Sequence, residues 1–220
     1  MPYLAIDTAS RWTAIALYDE SEDKILAEKG WMATLRQTVE LAPSIYQMLA
    51  DEKMAPADLT ALVVAIGPGS YTGLRIGLSL ARGLALVHEL PIAAIPTHDI
   101  VAAKVAFCEQ QLLVAVEAGR KRVLISPYVW QDGGWQQQGA IDSLTWPELL
   151  DTVTVPTIIA GEIPDDAREL IQKYSELVTV APDRQLLRSA GTLAQLGHQQ
   201  IVSGLLPVQE TLAPVYLRNP

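Results

Sequence analysis

The sequence predicts an α/β protein made of two similar halves. Each half runs β-β-β-α-β-α-β, giving two mixed sheets flanked by helices. Three observations point there. Strand-like and helix-like stretches alternate along the chain. Leu62 to His88 reads as a buried strand, a glycine turn and a long helix. Adding 110 to each number lays Leu4-Ala5-Ile6-Asp7 on Val114-Ala115-Val116-Glu117, Ile15 on Ile125 and Tyr18 on Tyr128.

In chain order, Tyr3 to Ile6 is an apolar strand ending at Asp7, and Thr13 to Tyr18 is its hairpin partner. Ile25 to Lys29 follows a polar turn as a third strand. A helix over Thr38 to Glu52 carries Val39, Ala42, Ile45, Tyr46 and Leu49 on one face, with a kink expected at Pro43. Leu62 to Ile66 is β-branched and apolar, Thr72 to His88 is helical, and Ile92 to Ile95 closes the first half. A short helix over Thr97 to Ala106 leads out. Strands over Leu112–Val116, Val123–Val129 and Gly134–Gln138 open the second half. A helix over Trp146–Asp151, a strand over Thr157–Ala160, a helix over Asp165–Tyr174 and a strand over Val178–Val180 complete it, before a last helix over Thr192–Ser203. The expected division is a lobe at 1–104 and a smaller lobe at 105–220, and whether Leu212 to Pro220 returns to the first lobe stays open.

Gly67-Pro68-Gly69 ends the central strand, and Ser70 or Thr72 can cap the helix that follows. Such a turn can cradle an anion, but it lacks the Gly-Lys-Ser/Thr of a Walker loop and the Rossmann glycine spacing. The helix has one narrow polar stripe, Arg75, Ser79 and Arg82. Gly73, Gly77, Ala81 and Ala85 form a ridge of small residues beside Leu74, Ile76, Leu78, Leu80, Leu84 and Val87. A helix apolar nearly all round wants burial on more than one side. The small ridge is expected to let a partner helix approach closely, which would offset the weak helix propensity of glycine; a central helix covered wholly by its own chain is the alternative.

The net charge of −9 over 220 residues argues against a large nucleic-acid footprint. Arg120-Lys121-Arg122 is the one basic knot, and a solvated hairpin tip is its simpler explanation. Cys108 stands alone, so no disulfide framework or thiolate metal cluster is expected, and a reducing cytoplasm fits. MPYLAID does not read as a signal peptide, and Arg75 and Arg82 interrupt the longest apolar stretch, so no membrane association is expected.

Two halves of this pattern make an actin-like architecture. In that arrangement Asp7, Thr8 and the turn to Ser10, with Gly67, Gly69 and Ser70, are candidate phosphate-binding positions of a vestigial kind; Glu117 with Gly119 would be the second clamp. Asp7 could hold a metal or water near phosphate, or it could be a turn-forming carboxylate bonding its own backbone. Ala9 crowds a close phosphate, and Glu117-Ala118-Gly119-Arg120-Lys121 has no run of glycines.

Gly67-Pro68-Gly69-Ser70-Tyr71-Thr72-Gly73-Leu74-Arg75-Ile76-Gly77, with Leu4-Ala5-Ile6-Asp7-Thr8-Ala9 before it and Pro214-Val215-Tyr216-Leu217-Arg218 at the end, resembles the TsaB (YeaZ) family over essentially the whole chain. Members resemble a shrunken, non-catalytic copy of TsaD, with which they pair. The complex makes threonylcarbamoyladenosine beside the anticodon of tRNA, and an ATPase, TsaE, joins it. The catalytic paralogue carries two metal-binding histidines, His-x3-His, after the strand that follows the glycine-motif helix. Aligning this chain on Pro96 puts Asp99 and Ala103 at those positions, and His98 lies one residue off. Many relatives carry Ser-His where this chain has Gln37-Thr38.

The resemblance therefore implies a non-catalytic subunit without cofactor or metal of its own, ATP and a metal being expected in the partner. Its partners would be a TsaD-like catalytic subunit and a TsaE-like ATPase, with tRNA met only through the complex. A homodimer would form when the chain is alone. The docking face is expected on the two helices, at Ala42, Ile45, Leu49, Gly73, Ile76, Gly77, Leu80, Ala81 and Leu84. A free-standing actin-like ATPase or kinase is the second reading, and it needs a catalytic carboxylate and two glycine-rich clamps.

Overall fold

Tyr3 of strand β1 (Pro2–Asp7) pairs with Tyr18 of β2 (Trp12–Asp19), and this antiparallel hairpin is the start of the first sheet. The computed structural model describes residues 1–33, 36–118, 121–174, 176–182, 188–207 and 211–216. Gly119 and Arg120 of the second hairpin, and Leu217 and Arg218 of the terminal motif, lie outside the described residues.

β3 (Lys24–Met32) flanks β2, while β4 (Ala61–Gly67) and β5 (Ile92–Pro96) add parallel strands beyond β1, giving the order β3-β2-β1-β4-β5. The parallel connections need helical crossovers, and α1 (Gln37–Asp51) and α2 (Tyr71–His88) lie within them. Leu4, Ile6, Ile15, Leu17, Leu62 and Val64 point to these helices and share one core with Leu41, Ile45, Leu49 and Leu78. α1 runs through Pro43 as one helix.

The second sheet repeats the topology. β6 (Gln111–Glu117) pairs antiparallel with β7 (Arg122–Gln131) and parallel with β10 (Thr157–Gly161), and β8 (Gly134–Gln137) and β11 (Val178–Val180) complete the order β11-β10-β6-β7-β8. Read from the other edge, this is the first sheet's order. A short strand not expected from sequence, β9 (Asp142–Thr145), pairs with the start of β7. The helices of this unit are α3 (Thr97–Ala102), α4 (Trp146–Thr152) and α5 (Asp165–Gln172). The repeat is offset by one residue at the hairpins: Asp7 stands opposite Ala14, but Glu117 stands opposite Val123. The link 8–13 is thus one residue longer than 118–122.

The division differs from the expected 1–104 and 105–220. One compact unit comprises Met1–Pro96 with Ser189–Tyr216, the other Thr97–Arg188. α6 (Ala190–Val202) belongs to the first unit because its small side covers the face of the first sheet opposite α1 and α2. Gly197 lies so close to Val63 that a Cβ would collide with its side chain, and Val63 points away from the α2 side because Leu62 and Val64 point toward it. The Gln200 side chain accepts from Ala94 N at 2.8 Å, and Ser189 donates to Glu28 at 2.7 Å. α3 belongs to the second unit, where it packs on β6 and β10. Among the described residues, no helix is long and apolar enough to cross a membrane.

Candidate functional site

The small ridge of α2 faces its own sheet, not solvent. Ser70 caps α2, its hydroxyl accepting from Gly73 N at 3.2 Å. That places Gly73 against the carbonyl oxygen of Thr8 and Gly77 against the Thr8 hydroxyl, with no room for a Cβ at either position. The Thr8 hydroxyl donates to the Gly73 carbonyl at 2.7 Å, and Ala81 is fully buried. The expected partner contacts at Gly73, Gly77 and Ala81 are therefore corrected: the two glycines set the close approach of α2 to the turn after β1, and Ala81 lies in the core of this unit. Ile45 and Leu49 are corrected likewise, being buried in the core below α1.

The face of α1 is rotated from the sequence reading. Leu41, Ile45, Met48 and Leu49 point inward, while Val39 and Tyr46 are exposed, 59% and 60%, with Ala42 half-buried between them. Residues 39, 42 and 46 share one side of a helix. On α2, Ile76, Leu80 and Leu84 are half-buried at the edge of the core, and Tyr71 is exposed. Between the two helices lies a groove of about 570 Å³, floored by Leu41, Ala42, Ile76 and Leu80 and edged by the hydroxyls of Thr38, Thr72 and Ser79 with Tyr71 and Arg75. Of the nine expected positions, Ala42, Ile76, Leu80 and Leu84 thus reach the surface.

The place of the C-terminal segment, left open by the sequence, is along α2. Thr211 to Tyr216 runs beside α2: Leu212 is buried in the core, Arg82 donates to its carbonyl, and Val215 N donates to Ile66 O at 2.7 Å. Tyr216 stacks on Tyr71, ring centroids 4.8 Å apart, and accepts from Arg75 Nε at 2.9 Å.

The candidate phosphate positions are engaged with one another. Asp7 is fully buried and accepts from Ala9 N at 2.9 Å, the turn-forming bond of an aspartate. Ser70 N donates to Ala9 O at 2.6 Å, and Gly69 presses on that same carbonyl. Gly67 has φ +103, a conformation that suits glycine, with the tail carbonyl of Val215 beside it. In the second unit the Glu117 backbone N–H donates to Glu162, whose carboxylate is paired with the buried Arg188.

His98 and Asp99 turn to different partners. His98 is fully buried with Nε2 3.1 Å from Leu124 O, and burial pushes its pKa down to about 4. The neutral ring therefore donates from Nε2. Asp99 accepts from Tyr128 Oη at 2.6 Å; burial raises the carboxyl, and that hydrogen bond opposes the rise. Ala103 offers no ligand atom. Among the described residues, no cluster of three or more His, Cys, Asp or Glu side chains is placed to hold a metal ion.

Comparison with known proteins adds to this geometry. A family model described as "TsaD: tRNA N6-adenosine threonylcarbamoyltransferase" matches residues 32–141. The chain is 32% identical over 175 residues to the tRNA threonylcarbamoyladenosine biosynthesis protein TsaB of Bacillus subtilis, covering 78% of this chain and 76% of that one. It is 28% identical to the protein of that name from Escherichia coli, covering 100% of this chain and 95% of the other. YeaZ from Pseudomonas aeruginosa shares the fold with a TM-score of 0.75 at 23% identity, covering 98% of this chain and 100% of that one. A Bacteroides thetaiotaomicron protein of actin-like ATPase fold superposes with a TM-score of 0.50 at 7% identity, covering 92% and 95%. The expected actin-like architecture is borne out.

Proposed function

As the chain belongs to the TsaB (YeaZ) family, we propose that it is the non-catalytic subunit that docks a TsaD-like threonylcarbamoyltransferase for threonylcarbamoyladenosine formation in tRNA. The observation that carries this reading is the α1–α2 surface. Val39, Ala42, Tyr46, Ile76 and Leu80 form an apolar patch around a groove with hydroxyl edges, and such patches suit protein partners. The matching helices of the TsaD-like subunit would complete a four-helix packing. An interface of roughly 1,600 Å² in total is the ordinary size for a stable pair.

In this reading ATP and the metal belong to the partner subunits, a TsaE-like ATPase joins the assembly in the cytoplasm, and tRNA is met through the complex. Without the partner, the same face would pair with a second copy about a two-fold axis. The free-standing ATPase or kinase reading has less support, because the Asp7 carboxylate and the Thr8 hydroxyl are bonded within their own unit.

Reconstitution tests the proposal. Threonylcarbamoyl transfer to tRNA is measured with the TsaD-like and TsaE-like proteins, then with this chain added. The expected result is activity that depends on the added chain, at a level unchanged by Asp7→Asn. Full activity without the chain would contradict it.

A further inference from the structure

The groove between α1 and α2 is largely apolar, but its lining carries one charge, that of Arg75. Arg75 is exposed, and its guanidinium carbon lies 3.9 Å from the ring centroid of Tyr71 and 5.7 Å from that of Tyr216. Nε donates to Tyr216 Oη at 2.9 Å. One edge of the guanidinium is thus used to fix its plane. Among the described residues, its remaining N–H groups meet no hydrogen-bond acceptor. A guanidinium held this way has lost its rotamer freedom before any partner arrives, and it presents a planar fork that suits carboxylate.

The surroundings of Arg75 favour an acidic visitor. α2 contains no Asp or Glu from Tyr71 to His88, and on α1 the Glu40 carboxylate is turned to Arg36 and to the ring N–H of Trp31 on β3. The chain as a whole has a net charge of −9, so an acidic partner surface is repelled in general and accepted only where a local positive group meets it. Thr72 and Ser79 stand on the same helix beside Arg75 and add hydroxyl donors at the groove edge.

We infer that the occupant of this groove is a protein helix whose apolar face carries one Asp or Glu, and that its carboxylate is received by Arg75, held in place by Tyr71 and Tyr216. This inference rests on the docking reading and deepens it: Arg75 sets which partner helix fits, and Tyr216, supplied by the C-terminal strap, is a positioning residue acting through Arg75. The strap is thereby part of the docking surface.

The test is calorimetric titration of the cognate TsaD-like protein into the full chain at low and high salt. Arg75→Gln should weaken binding roughly thirtyfold or more, as expected when one member of a desolvated charge pair is removed, and should flatten the dependence of affinity on salt. Arg75→Lys, which keeps the charge but not the fork, should recover part of the affinity and of the salt dependence. Tyr216→Phe, which keeps the ring and removes the acceptor, should weaken binding several-fold without changing the melting temperature. Wild-type affinity and salt dependence in Arg75→Gln would overturn the inference while leaving the docking reading in place. Failure of the wild-type chain to bind the partner would overturn both.

Discussion

The hydroxyl of Thr8 donates to the carbonyl oxygen of Gly73 across 2.7 Å, tying the turn after β1 to the first turn of α2. That bond fixes which side of α2 is inside. It requires a backbone approach that any side chain at 73 or 77 would block, so these small residues serve the fold of this unit.

The glycines of α2 should therefore respond in opposite directions. Gly73→Ala should destabilise by roughly 1–3 kcal/mol, since the new Cβ meets the Thr8 backbone. Gly83 is exposed with nothing near a built Cβ, so Gly83→Ala should stabilise by up to about 1 kcal/mol through helix propensity. Thermal melts of the two variants check this, and equal shifts would contradict the packing.

Stability should fall on acidification because of His98. The unfolded chain takes up a proton on this ring near pH 6.5, whereas the buried ring stays neutral down to about pH 4. Between those values the unfolded state binds the extra proton, so stability falls as pH drops through that window and levels below it. For one fully buried group the loss is about 3 kcal/mol. Asp99, raised by burial, acts in the opposite sense as it gains its proton. Urea unfolding across pH 4 to 7.5, compared with His98→Gln, should show a steeper acid loss in the wild type. Parallel curves would contradict the buried neutral ring.

Nucleotide chemistry should be absent from the isolated chain. Asp7 and Thr8 spend their hydrogen bonds on Ala9 and Gly73, so the chain with magnesium and ATP should show no turnover that Asp7→Asn removes. A phosphate-release assay that found such turnover would restore the ATPase reading.

The strands were legible because buried parallel strands are written as β-branched runs, and Ser70 announced the start of α2 through its cap. Helix faces were harder. α1 is apolar at Val39, Leu41, Ala42, Ile45, Tyr46, Met48 and Leu49, which covers more than one side. A helix that serves both a core and a surface patch gives no single stripe to read. The glycine and alanine ridges of α2 and α6 look alike in sequence, and both lie on the first sheet. Small residues report close approach, but not to what. β9, Asp142–Thr145, is polar and short, and only its register against Arg122–Ile125 makes it a strand. The strap at Thr211–Tyr216 has no periodicity at all; its place comes from the contacts of Leu212, Val215 and Tyr216 within the first unit.

The docking face itself is tested most directly by the affinity of the TsaD-like protein for paired variants. Leu80→Arg, half-buried at the groove floor, should remove binding while the melting temperature stays near that of the wild type. Ala81→Arg, fully buried one residue further on, should instead unfold the first unit. If Leu80→Arg binds the partner as the wild type does while remaining folded, the α1–α2 groove is not where the partner sits.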